Sequence, residues 1–441
     1  MVLSFIGLIL GLGLLMFFTM RGINIIVAAL ICAFLVALTG GLNLGEAMST
    51  HYMEGFTGYF KSWFLTFLLG AIFGKMMEET QAAIAIAAWV KRKIGATRAV
   101  LAVVVACSIM TYGGVSIFIV GFSVYPIAVA LFREANLPHR FIPAALVFGS
   151  ITFTMTSPGT PEIQNLIPTE FFGTSPTAGG WIGVLIAILT MISGGFYLKY
   201  AVEKAVKNGE GFDYAPAQPK SVSANEELAA TAERSLPNIF AALTPLVLVV
   251  VILNILSIFI SSTNSVLIAL LTGIVAGLVL MNKYAKGYWN MFAKGSENAL
   301  VAIANTCAVV GFGAVAAKVP AFMTIVDTLV GIKGLEYASL ALAVTIIAGI
   351  TGSASGGLGI ALPILAPIYM GQGLDPGAMH RISTLASGAL DSLPHNGYVV
   401  TTIRAVCGET HQRAYKPIFV LSVLITSAAL TLAVILYMIF A

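Results

Sequence analysis

Residues 99–132 and 337–374 contain no charged side chain at all. Each run is too long for one membrane crossing of about 20 residues and tight for two crossings plus a turn. Each also carries small residues at its centre, "TYGGVS" (111–116) and "TGSASGG" (351–357). Two helical arms meeting at a Gly/Ser tip inside the bilayer satisfy this pattern. Such backbone is tolerated in lipid only where it is buried in protein or lines a cavity. Two ordinary tilted crossings with glycine contacts would also satisfy it.

The two runs belong to a wider repetition. "GAIFGKMMEETQAAIAIAAWVKRKIG" (70–95) aligns without a gap on "VVGFGAVAAKVPAFMTIVDTLVGIKG" (309–334). "PHR" (138–140) aligns on "MHR" (379–381), and "TMTSPGTP" (154–161) on "LDSLPHNG" (390–397), all at an offset of about 240. Two repeats result, residues 1–205 and 237–441. They are joined by 206–236, a stretch rich in Glu, Pro, Ser and Ala that reads as a solvated linker.

Composition agrees with a polytopic membrane protein. The chain is 58% hydrophobic and only 10% charged, against about 25% charged in soluble domains. Expected spans are 3–20, 22–41, 62–77, the interrupted 141–166, and 179–200. In the second repeat they are 238–260, 265–282, 298–315, the interrupted 382–403, and 417–440. The expected fold is therefore all-α: two inverted-topology repeats, about 10 transmembrane helices, two re-entrant hairpins and two broken helices.

An odd number of crossings per repeat inverts the second against the first. With the N-terminus outside, only Lys61, Lys318, Lys333 and Arg381 of the 23 Lys and Arg residues fall outside. The positive-inside rule then predicts both termini periplasmic and the linker near Lys220 cytoplasmic. The first hairpin enters from the cytoplasm and the second from the opposite face. The small net charge of +4 gives no reason to expect a nucleic-acid partner. Cys32, Cys107, Cys307 and Cys407 have no paired spacing, so no metal site, disulfide or cofactor is expected. No nucleophile–base set, HExxH or nucleotide loop suggests an enzyme.

Inverted repeats with interrupted helices characterise secondary transporters, whose sites lie where the breaks meet near the midplane. A break exposes backbone N–H groups at one new helix end and C=O groups at the other, and the N-terminal end attracts anions. Candidate substrate contacts are Gly113, Gly114 and Ser116 of the first tip, and Ser157, Gly159 and Thr160 of the first break. Their counterparts are Ser353, Ser355 and Gly356 of the second tip, with His395 and Asn396 of the second break. Pro394 and Gly397 are expected to unwind the second break.

An ionisable group inside a span is costly and so a functional candidate. Asp391 and Glu162 are the candidate proton carriers, although either would also serve as a helix cap, and His395 as a packing residue. No Lys or Arg adjoins either break in sequence. Charge balance for an anion is then expected from helix ends, a proton or Na⁺. His139 and His380, each followed by Arg, are expected as interfacial anchors, with Trp63, Trp181 and Tyr288. His51 and His411 are expected in loops.

"ASGALDSLPHNGYVVTTIRAVCGETHQRAYKP" (386–417), "TGSASGGLGIALP" (351–363) and "LLGAIFGKMMEE" (68–79) resemble the gluconate permease (GntP) family of the ion transporter superfamily. The likeness covers nearly the whole chain, and Asp-Ser-Leu-Pro-His-Asn-Gly is its most specific part. It implies a bacterial inner-membrane symporter importing a small hydroxy- or keto-monocarboxylate with protons, gluconate and 3-hydroxybutyrate being typical. It also implies a homodimer with scaffold and transport domains and an elevator-like motion. The short polar region 42–60 and the compact loops lie closer to the hydroxybutyrate branch. A Na⁺-coupled carrier or an exchanger is the alternative.

Overall fold

The computed structural model describes residues 2–213, 236–285, 287–330, 332 and 334–441. Most of the expected linker, with Lys220 and Arg234, falls outside these residues, as do Lys286 and Lys333. Every regular element among the described residues is helical. Among the described residues, nine helices are long and apolar enough to cross a membrane, or up to ten if one bent pair is counted as a span.

The first repeat opens with α1 (Val2–Met20) and α2 (Ile25–Gly40), followed by the 36-residue α3 (Leu44–Glu79). A connector, α4 (Ala82–Ile94), bends by 100° into the first hairpin arm, α5 (Ala99–Tyr112). The second arm is α6 (Ile117–Glu134). The broken segment is α7 (Ile142–Ile151) plus α8 (Ile163–Phe172), and α9 (Gly180–Lys207) closes the repeat.

The second repeat runs α10 (Ile239–Leu256), α11 (Ser262–Leu280), α12 (Tyr288–Ala316) and the connector α13 (Pro320–Val330). Its hairpin arms are α14 (Glu336–Thr351) and α15 (Ala354–Gly371). Its broken segment is α16 (Pro376–Ser387) plus α17 (Gly397–Val400), the latter continuing as a widened turn through Val406. The final helix, α18, spans His411–Phe440.

Packing repeats with the sequence. α1 lies on α2 as α10 lies on α11, and α5 lies on α7 as α14 lies on α16. Two apolar grooves make the same point. Ser108, Tyr112, Val247 and Val251 line one of about 610 Å³, and Ile347, Thr351, Leu8 and Leu12 line one of about 80 Å³. These are the corresponding positions of opposite repeats. The repeat-related α3 and α12 pack closely and run antiparallel. A Cβ at Gly55 would lie 2.6 Å from Ala314, and one at Gly295 would lie 2.9 Å from Ile72. Equivalent helices that run in opposite directions are what an inverted repeat requires. Small residues let the backbones approach where apolar lipid offers helix association little drive.

Two networks mark the ends of the molecule. At one, Arg140 binds Glu210 through Nε and Nη2 at 2.7 and 2.8 Å, and Glu409 accepts from His139 Nδ1 at 2.8 Å. At the other, Tyr437 donates to Gly179 O at 2.6 Å and Asp375 Oδ2 caps α16 through Ala378 N at 2.6 Å. The 28 residues of α9 separate these ends by about 42 Å at 1.5 Å per residue.

Several expectations are corrected. Residues 44–60 are helical, part of α3, and His51 lies in a widened turn of it, not in a loop. His411 likewise opens α18. Trp63 is buried beside Tyr59 and is no interface anchor, whereas Trp181 and Tyr288 are exposed as expected. His139 and His380 are buried and hydrogen-bonded, because their imidazoles join separate segments of chain. Arg381 is fully buried, so it is not a loop charge. All four cysteines are buried and free.

Candidate substrate and ion site

The first break follows from its prolines and glycine. After a single helical turn at Phe153–Thr156, the chain is non-helical through Ser157–Glu162. Pro158 and Pro161 cannot supply helical N–H groups, and Gly159 takes φ +83°, a left-handed conformation that favours glycine. The second break covers residues 388–396, around Pro394. Gly397 is the first residue of α17 rather than part of the unwound stretch, and its φ is not in the left-handed region.

Each hairpin tip rests on the break of its own repeat. At the first, Tyr112 OH donates to Pro158 O at 2.8 Å, and a Cβ at Gly114 would lie 3.1 Å from Pro161. Gly113 faces Leu246 of α10, which a Cβ there would meet at 2.4 Å. Ser116 starts α6 and approaches Gly74 of α3. At the second, Gly352 takes φ +60°, and a Cβ there would lie 2.5 Å from the His395 ring. Asn396 Nδ2 donates to Gly352 O at 3.1 Å and to Asp391 O at 3.0 Å, while its Oδ1 caps α17 from Val399 N at 2.8 Å. Ser353 caps α15 by accepting from Gly356 N at 3.1 Å, and its hydroxyl lies 3.5 Å from that of Ser355.

The sequence candidates therefore form two clusters. One holds Gly113, Gly114, Ser157, Gly159 and Thr160, with Glu162 at the start of α8 and Ser116 on the α3 side. The other holds Ser353, Ser355, Gly356, Asp391, His395 and Asn396. The clusters are linked through the second broken segment. A Cβ at Gly388 would lie 3.4 Å from Thr156, and Tyr398 of α17 packs edge-on against Phe118 of α6 at 5.6 Å.

The strongest link is Arg381, which adjacency in sequence does not reveal. Its guanidinium donates to Thr156 O at 2.5 Å, to Pro176 O at 3.2 Å and to Ala178 O at 2.8 and 3.1 Å. The expectation that no basic group stands at either break is thus corrected: Arg381 crosses from α16 to the first break. His380 beside it bonds Thr174 Oγ1 at 2.6 Å and Asn165 Oδ1 at 3.2 Å. Asn165 in turn donates to Thr160 O and Pro176 O, each at 2.9 Å.

The two carboxyls differ in their surroundings. Glu162 is half-buried and sits at the N-cap position of α8 without a side-chain capping bond. Asp391 is 6% exposed, and its Oδ1 is buried without a hydrogen-bond partner. Capping at the second break is done by Asn396, so Asp391 is not needed for it. Among the described residues, no group of three or more His, Cys, Asp or Glu residues is placed to hold a metal ion.

A family model for the GntP family permeases matches residues 3–389. An uncharacterized transporter, YxjC of Bacillus subtilis (strain 168), is 38% identical over 460 aligned positions, covering 96% of both chains. Another uncharacterized transporter, from Haemophilus influenzae, is 24% identical over 76% of this chain and 75% of its own. Among solved structures, the YdaH transporter of Alcanivorax borkumensis superimposes with a TM-score of 0.54 at 17% identity, covering 89% of this chain and 88% of that one. MtrF of Neisseria gonorrhoeae, from a class of antimetabolite efflux pumps, gives 0.52 at 14%, covering 89% and 83%. These two likenesses concern the fold. The chain belongs to the GntP permease family and is a multi-pass membrane transporter, not an enzyme.

Proposed function

We propose that this permease imports a small hydroxy- or keto-monocarboxylate, gluconate or 3-hydroxybutyrate being representative, together with protons. The observation that carries the reading is the buried Asp391 Oδ1, without a hydrogen-bond partner in the break that Asn396 ties to the Gly352 tip. A carboxylate buried there with only Ser392 as a donor, and in no ion pair among the described residues, is costly as an anion and is relieved by a proton.

The state of the backbone supports a proton over Na⁺. A sodium site between a tip and a break would draw on free carbonyl oxygens. Here the carbonyls of Thr156, Pro158, Gly159 and Thr160 already accept from Arg381, Tyr112, Asn254 and Asn165. At the second break, those of Gly352 and Asp391 accept from Asn396, and that of Ser392 from Tyr415. The first cluster also holds a guanidinium, which repels a second cation.

In this reading the substrate contacts come from Gly113, Gly114, Ser116, Ser157, Gly159 and Thr160 on one side. Ser353, Ser355, Gly356, His395 and Asn396 supply the other. Asp391 carries the proton, with Glu162 as the second candidate. The protein works in the bacterial inner membrane as a homodimer, its hairpins and broken segments moving as one elevator unit and both termini periplasmic. The test is uptake of labelled 3-hydroxybutyrate and gluconate into proteoliposomes, with pH and Na⁺ gradients imposed separately. Accumulation driven by the pH gradient alone is expected. Accumulation that requires Na⁺ contradicts the reading.

A further inference from the structure

Hydrogen bonds engage all three guanidinium nitrogens of Arg381 but leave its charge without an ion partner. All its acceptors are backbone carbonyls, and it enters none of the ion pairs among the described residues. A guanidinium stays cationic in a protein, and a fully buried, uncompensated cation is expensive. The Thr156 carbonyl, at the C-terminal end of the 153–156 turn, offers only a fraction of a charge.

The charged and titratable groups around it are few. His380 is engaged with Thr174 and Asn165, and the phenols of Tyr112 and Tyr437 lie nearby. Glu162 stands at the start of α8, where the helix end itself favours an anion. Asp375, the N-cap of α16, shares the Tyr437 phenol with Arg381 as a neighbour but forms no ion pair with it.

We infer that Arg381 is the fixed counter-charge of the transported carboxylate, a specificity-determining residue that acts through its field rather than by contact. The inference rests on the monocarboxylate–proton reading above. In the empty transporter no ion pair among the described residues balances Arg381. On loading, the incoming carboxylate supplies that counter-charge. The loaded segments then bury a balanced pair in place of a lone cation, which lowers the cost of moving them through a low-dielectric surround. Nothing is oxidised or reduced.

The experiment measures binding of 3-hydroxybutyrate and gluconate to the purified full-length protein at pH 7 by calorimetry. It uses the parent, Arg381→Lys and Arg381→Gln. Lysine keeps the charge but not the forked set of bonds; glutamine keeps hydrogen bonding but not the charge. The expected result is affinity within about threefold of the parent for Arg381→Lys and at least about tenfold weaker for Arg381→Gln. Equal losses in both variants assign Arg381 a purely structural part and overturn the inference, as does parental affinity in Arg381→Gln. Should Arg381→Gln not fold, Arg381→Lys decides, since loss of binding there also overturns it. Failure of the parent to bind either acid overturns the substrate reading and this inference with it. A parent that accumulates substrate on a pH gradient while Arg381→Gln binds normally overturns this inference alone.

Discussion

Asn396 and Gly352 are joined by a hydrogen bond of 3.1 Å from the amide Nδ2 to the carbonyl oxygen, and this bond locks the second hairpin tip to the second helix break. The same side chain holds the break closed on itself through Asp391 O and starts α17 by capping Val399 N. One buried amide thus sets the relative position of three pieces of backbone.

Substitution at this junction should be sharply position-dependent. Asn396→Leu removes three hydrogen bonds, one of them the α17 cap, so it should cost about 1–3 kcal/mol in stability and weaken substrate binding. Gly352→Ala places a methyl 2.5 Å from the His395 ring on a backbone at φ +60°, and transport should be lost. Gly397→Ala, where a Cβ would meet nothing within 4 Å, should behave like the parent. Uptake rates with detergent-solubilised melting curves check all three. A Gly397→Ala variant as impaired as Gly352→Ala would contradict this geometry.

The pair His139–Glu409 is buried and joins the approach to the first broken segment to the exit from the second. Removing one partner leaves a buried polar atom of the other unpaired, at an expected cost of about 1–3 kcal/mol. His139→Gln and Glu409→Gln should each lower the melting temperature, and the double variant should lose clearly less than the sum of the two. Additive losses in the double-mutant cycle would show that the pair is not energetically coupled.

Glu210 reports on the same end of the molecule. The hydrogen bonds from Arg140 hold its carboxyl below the usual carboxylate range. Its folded pKa is depressed, so its contribution is present above the unfolded value and lost as pH falls through the folded one. Both residues are partly exposed, which limits the contribution to about 0.2–1 kcal/mol. Glu210→Gln should destabilise equally at pH 7 and 5.5, with the difference closing only below about pH 4. A difference already gone at pH 5.5 would argue against the pairing.

Sidedness is open to direct labelling. Lys207 ends α9 at the Glu210 end, and Gln372 follows α15 at the Asp375 end; both are exposed. In a background free of native cysteines, Lys207→Cys should react only with reagents that reach the cytoplasm. Gln372→Cys should react from outside. Labelling of both from the same face would defeat the inverted-repeat arrangement.

The repeats, the hairpins and both breaks were legible because charge-free runs, Gly/Ser clusters and Pro–Gly pairs encode them locally. Asn396 and Asp391 stood out for the same reason: polar groups in an apolar run have to be explained. What could not be read was tertiary. Arg381 follows His380 at the start of a span, where a basic residue ordinarily marks an interface, and only the folded chain shows it reaching Thr156. The helical stretch 44–60 was hidden because its polar residues suppress the membrane signal without preventing a helix. The partnership of His139 with Glu409 spans 270 residues, and no spacing rule connects them.

Asp391→Asn in proteoliposomes is the most direct test of proton coupling at the second break. Asparagine resembles the protonated carboxyl in size and shape while holding no exchangeable charge. The account predicts that the variant binds substrate and exchanges it across the membrane at close to the parental rate. It also predicts loss of all accumulation driven by an imposed pH gradient. Accumulation equal to the parent would contradict it, and would move the proton to Glu162 or the driving force to Na⁺.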